Sequence, residues 1–272
     1  MNAHRLRQRA AILRSLRAWF DAHGYLEVHT PTLVPTAAIE EHLHPIPAAG
    51  GFLHTSPELA MKRVLAAGLC RIYQITPCFR EEEQGVHHSR EFTMLEWYRV
   101  GAGLPELMDE VSDLIAAAAA AVSAPAPDFR RLPAAALLKD TGDPDAWFFE
   151  WVDSVEPTLT EPTIVYDYPA WQAALARTRG EVADRFEVYL GGIELANAFH
   201  EELDPETLRT RWVAANAGRL RTGSAPHPID EDFLRAVGRM PRCAGIALGV
   251  DRLVMALTGA RHICEVQVTR TP

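Results

Sequence analysis

The side chains able to do chemistry fall in three stretches. Arg80-Glu81-Glu82 precedes a polar loop that ends at Ser89-Arg90, and Phe92, Glu96 and Tyr98 follow it. Glu187, Glu194, Asn197 and Glu201 spread across a segment centred on Gly191-Gly192. Gly249-Val250-Asp251-Arg252 sits where an apolar run gives way to helical spacing. Guanidinium groups bind carboxylates and phosphates through paired N–H donors, whereas carboxylates hold ammonium groups or hard divalent cations. A helix starting near Gly249 presents free N–H groups and a positive dipole end, both suited to an anion. Arg252 in the first turn opposes that dipole, so its presence requires an anion or a neighbouring acid. Each stretch alone has a plainer explanation: glutamates on solvated strands, a glycine that merely turns the chain, surface ion pairs. His87-His88 reads as surface rather than metal ligand, because no further His or Cys stands at ligand spacing, and Cys78 reads as a small buried residue. Neither GxxxxGK[ST] nor GxGxxG occurs, which excludes the common nucleotide-binding loops.

Periodicity predicts the elements that position these residues. Residues 71–80 and 91–98 alternate at period two and read as two strands joined by the charged loop. That parity puts Phe92, Met94, Glu96 and Tyr98 on one face, and Gln74, Thr76, Cys78, Arg80 and Glu82 on one face of the partner. Residues 185–190 and 193–199 read as a second hairpin around the two-glycine turn. Alternation aligns Asn197, Phe199 and Glu201 but leaves Glu194 out of phase, so a bulge or strand end is needed to bring it in. Residues 245–250 form a glycine-bounded strand, followed by a helix over 251–257 that Gly259 can terminate. Residues 4–23 fit an amphipathic helix with Leu6, Leu13, Leu16 and Phe20 at helical spacing. Short strands are expected over 25–28 and 52–55, then a helix over 58–67 with Ser56 as N-cap and Pro57 at its first position. Further helices are expected over 105–122 and 205–220, while the proline-rich 125–162 reads as a small helical insertion or lid.

At 272 residues, 48% hydrophobic and 23% charged, the chain suits one large globular domain over 1–272 with an insertion at about 125–162. The net charge of -9 argues against a surface built mainly for nucleic acid. Four cysteines form no CxxC pair, so neither a zinc knuckle nor a disulfide scaffold is indicated. The N-terminal residues lack the apolar run of a signal peptide, and the alanine-rich 114–122 is too short to cross a bilayer. Those features predict a cytoplasmic protein with no membrane attachment.

The order of the stretches is more specific than any one of them. Arg80-Glu81-Glu82 with Phe92 and Glu96-Trp97-Tyr98, followed by Gly249-Val250-Asp251-Arg252, resembles motifs 2 and 3 of class II aminoacyl-tRNA synthetases. Residues 24–31 look like their motif 1, a dimer-forming helix and strand ending in proline. Ser56-Pro57-Glu58, Phe92-Thr93-Met94-Leu95-Glu96-Trp97-Tyr98 and Glu194-Leu195-Ala196-Asn197-Ala198-Phe199-His200-Glu201 resemble the lysyl-tRNA synthetases. The whole pattern is most similar to the truncated paralogues of that branch, the elongation factor P–lysine ligases. The resemblance covers nearly the entire chain. It implies an α+β fold, an antiparallel sheet flanked by helices, and a homodimer, with no anticodon-binding domain ahead of the motif 1 helix.

By that resemblance the reaction activates lysine, in its α or β isomer, with ATP and passes it to a lysine side chain of elongation factor P. Arg80 would bridge the α-phosphate and the substrate carboxylate, and Arg252 would hold the γ-phosphate; these two are the expected catalytic residues. Phe92 would stack on adenine and Glu82 would accept its amino hydrogens, with Glu81, Ser89, Glu194, Leu195 and Gly249 completing the ATP site. Glu187 and Glu194 would hold Mg2+. Glu58 would take the α- or β-amino group, and Glu201 with Tyr98 the ε-ammonium. Ser56, Pro57, Asn197, Phe199 and Ala247 would complete the amino-acid site.

The sequence also departs from that family. Ser89-Arg90 replaces the usual Asn-Pro, Ala198 and Ala247 stand where glycines are usual, and 125–162 is shorter. A minimal tRNA-charging enzyme and a non-catalytic lysine- or adenylate-binding paralogue are the alternatives. The acidic balance and missing barrel count against the first, and joint retention of Arg80, Arg252, Glu187, Glu194 and Glu201 counts against the second.

Overall fold

Alternation at period two gives each central strand one side apolar enough to bury under helices and one side too polar for that. The computed structural model describes residues 3–37, 40, 43–81, 84–140 and 142–268. In chain order the strands are β1 (Leu26–Glu27), β2 (Leu33–Val34), β3 (Pro47–Ala48), β4 (Gly51–Leu53), β5 (Arg71–Phe79), β6 (Glu91–Val100), β7 (Arg130–Pro133), β8 (Thr163–Pro169), β9 (Thr178–Arg179), β10 (Val182–Leu190), β11 (Ile193–His200) and β12 (Cys243–Gly249). The α-helices are α1 (Ala3–Ala22), α2 (Glu58–Ala66), α3 (Leu104–Ala120), α4 (Pro144–Glu150), α5 (Pro205–Arg221), α6 (Glu231–Val237) and α7 (Val250–Thr258).

The main sheet runs β1-β5-β6-β12-β11-β10-β8-β7, with β9 paired to β10, and it is antiparallel except where β1 meets β5 and β7 meets β8. A separate three-stranded sheet has the order β2-β4-β3. Leu95 and Trp97 of β6, Tyr73 of β5, Ile246 and Leu248 of β12 and Phe186 and Val188 of β10 share one core with α1, α3 and α7. Phe20 of α1 stacks on Tyr73 with ring centroids 4.2 Å apart. On the opposite face Ile72, Tyr98 and Cys243 pack against α2, α5 and α6, which cover only part of the sheet. Each large side chain buried in these cores contributes about 1.5–3 kcal/mol. That apolar support offsets the several kcal/mol, roughly, that each buried charge on the uncovered part of the face costs.

Several expectations need correction. The stripe that α1 buries is Ile12, Leu16, Trp19 and Phe20, whereas Leu6 and Leu13 are only partly covered. The α1 helix packs across α3 as well as the sheet, which turns a neighbouring face inward. Residues 125–162 are not wholly helical: β7 extends the main sheet beside β8, and α4 with the turns after it builds a small cluster of Trp147, Trp151 and Tyr168. Ser56 is not the N-cap of α2, because Pro57 occupies that position with φ -76.

Asp251 joins three elements at the start of α7. It is 2% exposed and accepts from Arg9 Nη1 of α1 at 2.7 Å and from the backbone N–H of Thr93 in β6 at 2.6 Å. Asp251→Ala takes the acceptor from both the half-buried Arg9 guanidinium and the Thr93 N–H, at a cost of about 3–5 kcal/mol. In a chain of this size the Tm should fall by about 10 °C by scanning calorimetry. A change of under about 2 °C would show that this pair does not hold the helix to the sheet.

Candidate active site

The open part of the sheet face is the floor of a cavity of about 1170 Å³. At one end α2 delivers acids. Ser56 Oγ accepts the Glu58 N–H at 3.0 Å and donates to Glu96 Oε1 at 2.5 Å, while Tyr98 OH donates to Glu96 Oε2 at 3.1 Å. One turn after Glu58, Lys62 Nζ donates to Glu58 Oε1 at 2.6 Å and lies 2.5 Å from Glu201 Oε2. Lys62, Glu96 and Glu201 are 2%, 1% and 2% exposed, so three charge-bearing groups sit in a desolvated cluster. Both Glu201 oxygens are buried and neither accepts a hydrogen bond among the described residues; Oε2 meets Lys62 as an ion-pair contact, whereas Oε1 has no such cation beside it.

Electrostatics sort these groups. Burial pushes the Glu201 carboxyl up, and the Lys62 ammonium pulls it partly back. Burial and then the Glu58 charge push Glu96 up, against hydrogen bonds from Ser56 and Tyr98. Burial favours a neutral Lys62, yet Glu201 and Glu58 outweigh it and hold the ammonium charged beyond the ordinary lysine range. Gly245 of β12 makes the arrangement possible. A Cβ there would stand 2.2 Å from the Tyr98 ring and 2.9 Å from Glu201 Oε1, so the ring lies against bare backbone.

At the other end stand two guanidinium groups. Arg80 follows β5, its backbone N–H donates to the Arg90 carbonyl at 2.9 Å, and its guanidinium lies 5.1 Å from the Phe92 ring centroid. Arg252 Nη1 reaches the Glu194 carbonyl at 2.9 Å and Glu194 Oε2 at 3.1 Å, and Nη2 lies 2.5 Å from His88 Nε2. The neighbouring acid that Arg252 requires is therefore Glu194. His87 and His88, expected on the surface, line the cavity beside Arg252. Burial and then the Arg252 charge lower His87, keeping it neutral.

The acids of the second hairpin share a face through a bulge. Val188 pairs with Ala196 and Tyr189 with Glu194, so Leu195 is the extra residue and Glu194 turns to the side of Asn197 and Glu187. Glu187 is buried and accepts from Tyr168 OH at 2.5 Å, from Tyr189 OH and from the Arg185 guanidinium. Arg185 also donates to Asn197 Oδ1 at 3.1 Å. Glu156 Oε1 lies 3.3 Å from Tyr189 OH, and burial with the Glu194 and Glu187 charges pushes it up to about 8.

One cavity thus gathers Arg80 and Arg252 with Ser89, Phe92, Glu194, Leu195 and Gly249, and equally Ser56, Glu58, Tyr98, Asn197, Phe199, Glu201 and Ala247. Glu81 and Pro57 lie beside it without lining it, Glu187 is beneath its wall, and Glu82 lies outside the described residues. Sequence reasoning did not single out Lys62, Gly245, Arg185 or Glu156 as site residues, and it placed Glu96 on the face without a role. Lys62 carries a signal that could have found it, since it stands four residues after Glu58 on one helix face. Arg185 carries one too, since it stands two residues before Glu187 on one strand face; Glu156 carries none, because its partner Tyr189 comes from a distant element.

The model of the class II tRNA synthetases (D, K and N) matches residues 1–268. An elongation factor P–(R)-beta-lysine ligase of Vibrio vulnificus is 40% identical over 302 aligned positions, covering 96% of this chain and 94% of the relative. Those of Vibrio cholerae and Yersinia enterocolitica are 40% and 39% identical, each covering 96% of this chain and 93% of the relative. The aligned span exceeds the 272 residues here, so the relatives carry segments that this chain lacks. A match of that extent, laid over the α+β sheet and the two-ended cavity, means that the chain belongs to the class II tRNA synthetase family, and within it to the group of the elongation factor P–(R)-beta-lysine ligases.

Proposed function

We propose that this enzyme uses ATP to activate (R)-β-lysine as an aminoacyl-adenylate and transfers it to a lysine side chain of elongation factor P. The observation that carries the reading is the cavity floor, where the unbonded Glu201 Oε1 and the Glu58 carboxylate face the same space as Arg80 and Arg252. A dication with a carboxylate between acids and guanidinium groups fits that distribution. Ala247, which lines the cavity and pairs with Glu96 on one side and Asn197 on the other, would shape the amino-acid pocket with its methyl.

In the first step a substrate carboxylate oxygen attacks the α-phosphorus of ATP, and the bond to pyrophosphate breaks. Two anions must approach, and at 4 Å their repulsion is about 4 kcal/mol at an effective dielectric of 20. Arg80 offsets it at the reacting phosphate, and Arg252 holds the far end of the triphosphate. Phe92 supplies the platform for adenine, on the face that Arg80 covers here. In the second step the acceptor amine attacks the acyl carbon, the bond to AMP breaks, and the amine loses its proton to solvent.

Mg2+ fits the donor set of Glu194 and Glu187. Both Tyr hydroxyls bond Glu187 Oε2, so Oε1, shared only with Arg185, keeps a lone pair. Mg2+ is commonly held by one or two carboxylates together with substrate phosphates. When bound it supplies charge neutralisation for phosphate oxygens.

The reading includes a single catalytic domain, a cytoplasmic setting and a homodimer. None of the four cysteines forms a disulfide, and no described helix is long and apolar enough to cross a membrane. Leu26 and Leu33, on the motif 1 side of the molecule, are 52% and 47% exposed and suit burial against a second copy, which sedimentation would read directly. The acceptor is tested by mass spectrometry of elongation factor P after incubation with the enzyme, ATP and each lysine isomer. A mass gain of one lysyl unit with (R)-β-lysine is expected. Lysylation of total tRNA with an unchanged factor would overturn the acceptor assignment.

A further inference from the structure

This chain uses arginine for nearly all its basic positions: of 27 basic side chains only Lys62 and Lys139 are lysines. Lys139 is exposed, whereas Lys62 is buried beneath the cavity between Glu58 and Glu201. A guanidinium is planar and engages one carboxylate through two parallel donors, but an ammonium is a compact charge that can serve two carboxylates at once. Position 62 is where that difference matters.

We propose that Lys62 is the positioning cation of the amino-acid pocket: it fixes the Glu58 and Glu201 carboxylates so that each meets one ammonium group of the substrate. This rests on the reading of the cavity as a lysine-activating site. Lys62 takes Glu58 Oε1 at 2.6 Å and Glu201 Oε2 at 2.5 Å, leaving Glu201 Oε1 without a hydrogen bond for the ligand. The titratable groups around it are Glu58 on α2, Glu96 and Tyr98 on β6, Glu201 after β11, and Cys243 on β12. Burial raises both Tyr98 and Cys243, so they stay neutral, and Lys62 is the cation that opposes proton uptake by Glu201. Without it, desolvation acts unopposed and Glu201 takes its proton at a higher pH than in wild type, so that it is protonated at neutral pH. A protonated acid cannot pair with an ammonium group.

The test compares Lys62→Met and Lys62→Gln with wild type in lysine-dependent pyrophosphate exchange from about pH 6 to about pH 9.5. At neutral pH the KM for lysine should rise about 30-fold or more, with the KM for ATP within about twofold. The loss should shrink as pH rises, displacing the lysine profile upward by about one unit or more. A lysine KM near wild type, or an equal loss at every pH together with a weakened ATP KM, would overturn the positioning role. Inactive wild type would instead overturn the lysine-activating reading. A second measurement needs no folded variant: 13Cε-lysine labelling of wild type gives one resonance each for Lys62 and Lys139, assigned with Lys139→Arg. The Lys62 signal should stay untitrated to about pH 11 and shift when lysine is added. An ordinary titration, or indifference to lysine, would remove the basis of the proposal.

Discussion

Glu201→Gln should lower kcat/KM for lysine by about 1000-fold while leaving ATP binding within about twofold. Glutamine matches the shape of glutamate, so the change removes charge rather than volume. The site is desolvated, with Glu201 at 2% exposure, and the amide would present donors to Lys62 and to the incoming ammonium group. Removing one partner of a buried ion pair costs about 3–5 kcal/mol, which corresponds to two to three decades or somewhat more. Glu201→Asp keeps the charge but withdraws it by one methylene, a loss of about 1–3 kcal/mol, so activity should fall in the order Glu, Asp, Gln. The pH profile adds a signed test. Because burial holds the Glu201 carboxyl high, the wild-type lysine KM should rise as pH falls below neutrality, and this limb should vanish in Glu201→Gln. Pyrophosphate exchange reads both effects, and a near wild-type lysine KM in the glutamine variant would remove Glu201 from the pocket.

The parts of the site that alternation governs are legible in the sequence. Phe92, Met94 and Glu96 share one face and Gln74, Thr76 and Cys78 one face of the partner, as period two requires; that these residues stand directly opposite one another is register, which alternation does not set. The out-of-phase Glu194 required a bulge, and Leu195 provides it. Helix ends were legible where a residue type has one physical use, as with Gly259 at φ +66 after α7. What local pattern does not encode is partnership over long separations. Glu156 meets Tyr189 across 33 residues, and His88 meets Arg252 across 164 residues. The β7 and β8 strands also escaped notice, because β7 is a short parallel edge whose register depends on β8 rather than on its own alternation. Gly245 looked like an ordinary strand boundary; only the Tyr98 ring at 2.2 Å from an added Cβ gives it a reason.

Arg252→Ala should lower the rate of pyrophosphate exchange by about 100- to 1000-fold with little change in the lysine KM. The side chain stands in the first turn of α7, where its charge opposes the helix dipole by about 0.3–1 kcal/mol, so the fold gains little from it. Its contacts with Glu194 and His88 instead hold the guanidinium at the cavity, on the same side as Arg80. Removing it relieves the dipole conflict but takes from Glu194 its ion-pair partner beside Glu187 and Glu156, so the two effects offset and Tm should barely move. A large rate loss at constant Tm therefore separates a role at the triphosphate from a structural one. Arg252→Lys keeps the charge without the two-pronged donor geometry and should fall between the two. Exchange at the wild-type rate in Arg252→Ala would mean that the far end of the nucleotide is held elsewhere, and the two-ended reading of the cavity would fail with it.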